Sequence, residues 1–217
     1  CSQPRLTTAA FCGKPDTTER IGAMTENIAA IIWVVGIVIW FAIRLPRERV
    51  ARRTKVVTDQ KSTWERIALA LCGIGLVLLP ALTLITNWFD FANVAFQPAA
   101  GWLGALVMAA FLWLFYLTHK QLGKNWSVTL EVREDHGLVT EGLYKYVRHP
   151  MYSSFWLWGI AQVLLISNWV GGFAGIASVA VLYYSRVRKE EAMMRAQFGQ
   201  EYDDYCARTP RIVPTVF

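Results

Sequence analysis

The sequence predicts an all-α integral membrane protein with five transmembrane helices, the last two of them forming a helical hairpin. Composition is the first reason. Hydrophobic residues make up 54% of the 217, with ten tryptophans and a mean hydropathy of +0.31, more apolar surface than an ordinary soluble domain of this length can bury. Run length is the second. Several apolar stretches approach the roughly 20 residues that a helix needs to cross a hydrocarbon core of about 30 Å, and none carries a charge in its middle.

Residues 1–27 are expected to form a leader, disordered or non-native, because they lack the apolar core of a signal peptide and because Met24 directly precedes the first apolar run. A lipidated Cys1 is the competing reading of that end. The first three spans, within residues 28–118, are IAAIIWVVGIVIWFAI (28–43), IALALCGIGLVLLPALTLIT (67–86) and AAGWLGALVMAAFLWLFYLT (99–118). Pro80 predicts a kink in the second. The fourth and fifth, SSFWLWGIAQVLLI (153–166) and WVGGFAGIASVAVLYYS (169–185), are separated only by Ser167 and Asn168, which leaves room for nothing but a tight hairpin. Both are short, so thin bilayer or neighbouring helices must shield their ends. Gly36, Gly73, Gly75, Gly171, Gly172 and Gly175 predict close helix contacts.

Lys and Arg placement sets orientation. The first loop, RLPRERVARRTKVVTDQKSTWER, the segment after the third span and the C-terminal tail are basic, whereas NWFDFANVAFQP has neither Lys nor Arg. The N-terminus is therefore expected outside, with the C-terminus and the site in the cytoplasm. Positive-inside topology explains RERVARRTK without invoking nucleic acid. The net charge of +6 then implies attraction to anionic membrane lipid and no further partner.

The region 119–217, beyond the first three spans, holds all three histidines and is where chemistry is expected. WSVTLEV reads as a short extended piece leading to a turn at Asp135, His136 and Gly137. In YKYVRHPMYSS, Pro150 turns His149 away from helical geometry immediately before the fourth span. Two readings fit this polar cluster: an amphipathic connector with Tyr144, Tyr146 and Tyr152 as interfacial anchors, or a binding site. Arg186 and Glu190, four apart and so on one helix face, fall at the end of the fifth span. There a guanidinium can grip a carboxylate through two parallel hydrogen bonds, or merely snorkel. The four cysteines are scattered and form neither a zinc spacing nor a disulfide framework. No Ser/His/Asp or Cys/His arrangement, no histidine spacing suited to a metal and no G-x-G-x-x-G fingerprint is present.

The order HGLVTEGLYKYVRHPMY, a helical hairpin, then RVRKEE, FGQEYDDY and PRIVP over residues 119–214 resembles the isoprenylcysteine carboxyl methyltransferase family, with its R-H-P-x-Y signature followed by a glutamate pair. The resemblance implies a cytoplasmic pocket for S-adenosyl-L-methionine, enclosed by His136, Gly137, Leu138, Val139, Tyr144, His149, Pro150, Met151 and Tyr152. It also implies Arg186 and Glu190 beside the acceptor's carboxylate, with Glu191 orienting the helix or the cofactor. The stretch Trp126 to Glu131 aligns poorly and stays unassigned. The implied activity is methyl transfer to the carboxylate of a lipid-linked acceptor or prenylated peptide, without metal. Because the superfamily also contains phospholipid N-methyltransferases, an amine acceptor stays open. So does a non-catalytic membrane binding protein in which the motif is structural.

Overall fold

The computed structural model describes residues 24–51, 56–59, 63–123, 131–133 and 137–214. Helices form its body: α1 (Glu26–Ala51), α2 (Thr63–Gly73) and α3 (Leu79–Ile85), α4 (Pro98–Leu122), α5 (Pro150–Leu165), α6 (Trp169–Phe198) and α7 (Gln200–Arg208). Two short strands, β1 (Val56–Asp59) and β2 (Glu131–Arg133), pair antiparallel. The extended piece expected at WSVTLEV therefore exists at its end, the rest lying outside the described residues. This ribbon also brings the first loop and the connector after α4 to the same side of the molecule.

Four helical segments are long and apolar enough to cross a membrane: Glu26–Pro46, Thr63–Ile85, Pro98–Leu122 and Trp169–Phe198. Large apolar side chains stand exposed along them, among them Ile31, Val38, Leu78, Leu106 and Trp113, as lipid-facing surfaces require. The fourth expected span coincides with α5, whose 16 residues rise about 24 Å at 1.5 Å each. Helix α6 continues well past the expected boundary at residue 185 and carries the Arg186–Glu191 face with it.

The second span contains the predicted irregularity, but not as a simple proline kink. Residues Ile74–Leu78 are π-helical, and the N–H of Leu79 reaches back to the Ile74 carbonyl. In that register the next donor would be the N–H of residue 80, which proline lacks, leaving the Gly75 carbonyl without a partner in its own helix. Gln162 of α5, fully buried, supplies one: its Nε2 donates to Gly75 O (3.0 Å) and to Gly171 O (2.6 Å).

Close approaches explain most of the glycines. A Cβ at Gly75 would collide with Ser178 and the Ala174 carbonyl of α6, at Gly36 with Met108, at Gly171 with Thr83 and at Gly175 with Gln162. Gly172 lies against the Val163 backbone. Gly73 differs, with nothing near it, because it faces a cavity. Helices α5 and α6 run back along each other, Gly159 against the backbone of Ile176. The turn between them pairs with the loop after α3: Val94 N–H donates to Ser167 O (3.0 Å), while Asn168 donates to Phe89 O (2.7 Å) and Asn93 Oδ1 (2.8 Å). The same Asn168 caps α6 by accepting from the Gly171 N–H (3.0 Å). At the core, Trp158 packs on Trp40 and Phe111, each with ring centroids 4.9 Å apart.

Candidate active site

Proline at residue 150 starts α5 and leaves His149 outside helical geometry, at φ −126° and ψ 61°. The sequence alone leaves the backbone groups freed by this break open to a ligand. In the fold they are taken by the C-terminal tail: the N–H groups of Arg148 and His149 donate to Pro210 O (2.8 Å) and Arg211 O (2.9 Å). Ser153 Oγ donates to Ile212 O (2.6 Å). Upstream, Gly142 adopts φ +62° over Gln121, a conformation that favours glycine, and Gln121 Oε1 accepts from the Leu143 N–H (2.9 Å). That turn carries Tyr144 inward. Tyr205 of α7 then donates its hydroxyl to Tyr144 O (2.6 Å), closing α7 over the connector.

These elements, with α1, α2, α4 and α6, enclose a cavity of about 500 Å³, within the roughly 300–1,000 Å³ of small-molecule sites. Gly137, Leu138, Val139 and Tyr144 reach its wall from the connector. His149, Met151 and Tyr152 reach it from the start of α5, and Arg186 and Glu190 from α6. Pro150 and Glu191 are not on the wall, and His136 and most of Trp126–Glu131 lie outside the described residues. The anchor reading of the tyrosines needs all three at the surface. Tyr146 is 61% exposed, but Tyr144 and Tyr152 are buried at 9% and 6%, and both face the cavity. Burial holds the Tyr144 phenol well above its usual range, so it stays neutral.

Charge is organised in two groups. In the first, Arg186 Nη2 lies 3.2 Å from Glu190 Oε1 and 3.4 Å from Glu65 Oε1. Tyr152 donates to Glu190 Oε1 (2.8 Å), and His149 Nδ1 is 3.6 Å from Glu190 Oε2. In the second, Glu191, 1% exposed, accepts from Arg211 through Nε (3.0 Å) and Nη2 (2.8 Å). Arg148 Nη2 and His149 Nε2 each lie 3.4 Å from Glu191 Oε1. Glu191 thus holds the tail and the 148–149 segment together. Sequence reasoning missed Glu65 and Arg211, and placed Arg148 in the polar cluster without giving it a role. The visible signal for Glu65 was an acid directly ahead of an apolar run; for Arg211 it was the PRIVP motif, to which no role attached. Among the described residues, no group of three or more His, Cys, Asp or Glu is placed to hold a metal ion.

The cavity wall combines two chemistries. Tyr144, Arg148, His149, Tyr202 and Tyr205 are polar or aromatic, while Trp40, Leu69, Leu76, Val77, Phe115 and Trp158 are apolar. Arg186, Glu190 and Tyr152 are also on its wall.

Residues 102–196 match the family model described as the isoprenylcysteine carboxyl methyltransferase (ICMT) family, a stretch that ends before the FGQEYDDY and PRIVP motifs. Protein-S-isoprenylcysteine O-methyltransferase B of Arabidopsis thaliana is 33% identical over 96 residues, covering 43% of this chain and 49% of that protein. The protein-S-isoprenylcysteine O-methyltransferase of Dictyostelium discoideum is 33% identical over 133 residues, covering 59% and 55%. A solved structure of the eukaryotic intramembrane Ras methyltransferase ICMT aligns with TM-score 0.47 and 25% identity, covering 74% of this chain and 55% of that one. The chain spans about half the length of the curated relatives it matches. Through α4, the connector, α5 and most of α6, this chain is similar to the isoprenylcysteine carboxyl methyltransferase family.

Proposed function

We propose that the chain is a five-span membrane methyltransferase that uses S-adenosylmethionine to esterify the carboxylate of a lipid-linked acceptor, with C-terminal S-isoprenylcysteine as the type substrate. The observation that carries this reading is a cavity whose wall holds both polar and aromatic side chains and apolar ones. The polar and aromatic side chains suit the cofactor. The Arg148 Nε–H is buried with no hydrogen-bond partner among the described residues, and such a donor matches the carboxylate of an amino-acid moiety. Tyr144, Tyr202 and Tyr205 offer ring faces and edges for an adenine. When bound there, S-adenosylmethionine supplies a methyl group on a sulfonium, which a carboxylate oxygen can take without any proton being removed.

The protein's share of the work is therefore positioning and exclusion of water. Arg186, braced by Glu65 and Glu190, presents a guanidinium toward the acceptor's head. Tyr152 and His149 fix Glu190, and the walls around Trp40, Phe115 and Trp158 accommodate an apolar tail. In the proposed topology α5 is the fifth crossing helix, short because α4 and α6 cover it, and the ribbon side faces the cytoplasm. The pairing of one guanidinium with two carboxylates also gives the amine-methylating alternative a specific footing, with Glu190 as the base. Label transfer from S-adenosylmethionine to a farnesylated cysteine analogue, a phosphatidylethanolamine and a free fatty acid separates the two. Base-labile label on the cysteine analogue is the expected result; base-stable label on phosphatidylethanolamine alone would replace this reading with the alternative.

A further inference from the structure

We propose that Gly73 is a specificity-determining residue whose missing side chain leaves room for the acceptor's apolar tail, so that bulk at this position limits the length of tail the protein accepts. The inference rests on the lipid-linked acceptor reading and deepens it. Among the described glycines, an added Cβ would meet nothing within 4 Å at Gly73, Gly123, Gly137 and Gly199. Gly123 and Gly199 have positive φ at the ends of α4 and α6, a conformation that accounts for glycine there, and Gly137 lies in the connector. Gly73 instead sits inside the second span at φ −63° and ψ −40°, ordinary helical values that demand no glycine. A glycine in a helix interior is less stable than alanine, and at Gly73 neither a close neighbour nor a turn of the backbone offsets that cost. What it faces is the cavity. Leu69, Cys72, Gly73, Leu76 and Val77 line that cavity together, at the three- and four-residue intervals of one helix face, so Gly73 is a gap in an apolar strip. Glu65 and Leu69 precede it at four-residue steps along α2, and Glu65 is paired with Arg186 at 3.4 Å. The helix therefore leads from the guanidinium assigned to the acceptor's carboxylate to the gap at Gly73, about 12 Å further along its axis at roughly 1.5 Å per residue. A carboxylate held at Arg186 sends its tail past Leu69 into this gap.

The test uses the full chain in detergent micelles with two acceptors, N-acetyl-S-farnesylcysteine and its S-dimethylallyl counterpart, whose single isoprene unit ends short of that depth. The readout is the ratio of their kcat/KM values in each variant against wild type under the same conditions, so that partitioning of the tails into micelles cancels. Gly73→Leu is expected to lower the farnesyl-to-dimethylallyl ratio roughly tenfold or more, the scale on which apolar pockets discriminate by size. Gly73→Ala should lower it less and in the same direction, with a melting temperature no lower than wild type because alanine favours the helix. Affinity for S-adenosylhomocysteine should be unchanged in both, which reports a folded site. Leu71→Phe adds bulk to the same helix at an exposed position off the cavity wall and should keep the wild-type ratio. An unchanged ratio in Gly73→Leu, or an equal drop in Leu71→Phe, overturns the proposal. If Gly73→Leu fails to bind S-adenosylhomocysteine, Gly73→Ala decides, and a wild-type ratio there overturns it. A wild-type protein that methylates phosphatidylethanolamine and neither cysteine derivative sinks the underlying reading instead, a result separable from wild-type ratios in variants of a protein that does esterify them.

Discussion

Glu190 and Glu191 are adjacent in sequence and point to different work. Glu190 faces the cavity between Arg186 and Tyr152, whereas Glu191 is turned away into a buried knot with Arg211, Arg148 and His149. Glu191→Gln should therefore act first on stability. It weakens several charge-assisted bonds at once, each worth about 1.5–3 kcal/mol, with the share from Arg211 at the low end because that side chain is 48% exposed. Thermal unfolding of the ligand-free protein should show the loss; an unchanged melting temperature with lost cofactor affinity would return Glu191 to the cofactor site. Arg186→Lys makes the contrasting prediction. A lysine keeps the charge but cannot span Glu65 and Glu190 with a planar fork, so acceptor turnover should fall by roughly 10- to 150-fold while S-adenosylhomocysteine affinity holds. Full turnover in that variant would remove Arg186 from the acceptor side. His149 touches both glutamates, so His149→Ala should weaken S-adenosylhomocysteine binding in calorimetry, and equal affinity would take it out of the site.

Elements were legible where their cause was local. Apolar run length gave four helices long and apolar enough to cross a membrane and the shorter α5, and the i, i+4 spacing gave the Arg186–Glu190 pair that the fold keeps at 3.2 Å. The second span was legible only in part. Pro80 signals a disturbance, but its form depends on Gln162, 87 positions from Gly75 in sequence, and no window along the chain contains both. Distance hides Glu65 in the same way, because its partner Arg186 lies on a helix that packs against α2 only after folding. It also hides the tail, whose carbonyls at Pro210 and Arg211 occupy the backbone donors that the His149–Pro150 break exposes. Gln162→Leu tests the account of the π-turn. It keeps side-chain bulk and removes the donor to Gly75 O and Gly171 O, and should destabilise the protein by about 1–2 kcal/mol, the range of buried polar contacts between membrane helices. A higher melting temperature in this variant would mean that the π-turn needs no partner from α5.

At the scale of the whole molecule, the proposed chemistry depends on which side of the membrane the cavity opens. Two ends of the helical body can be told apart. At one, β1 and β2 join the first loop to the connector, two segments that are basic in sequence. At the other, the loop after α3, which lacks Lys and Arg, pairs with the turn between α5 and α6 through Val94, Asn93 and Asn168. In the proposed topology, which rests on loop charge, the first end faces the cytoplasm, where a soluble cofactor would be available. A cysteine introduced in the second end should then react with an impermeant thiol reagent on intact cells. Ala95 is the better position, being exposed, whereas Asn93 holds Asn168 and its replacement would disturb the turn. Cys206, on α7 with the cavity-lining Tyr202 and Tyr205, is a free thiol and partly exposed, so it serves as the reporter for the opposite side. With Cys1 and Cys12 replaced by serine, Ala95→Cys should label from outside while Cys206 labels only after the membrane is permeabilised. Reversed labelling would place the cavity on the outer face, away from any cytoplasmic cofactor supply, and the proposed methyl transfer would lose its donor along with its topology.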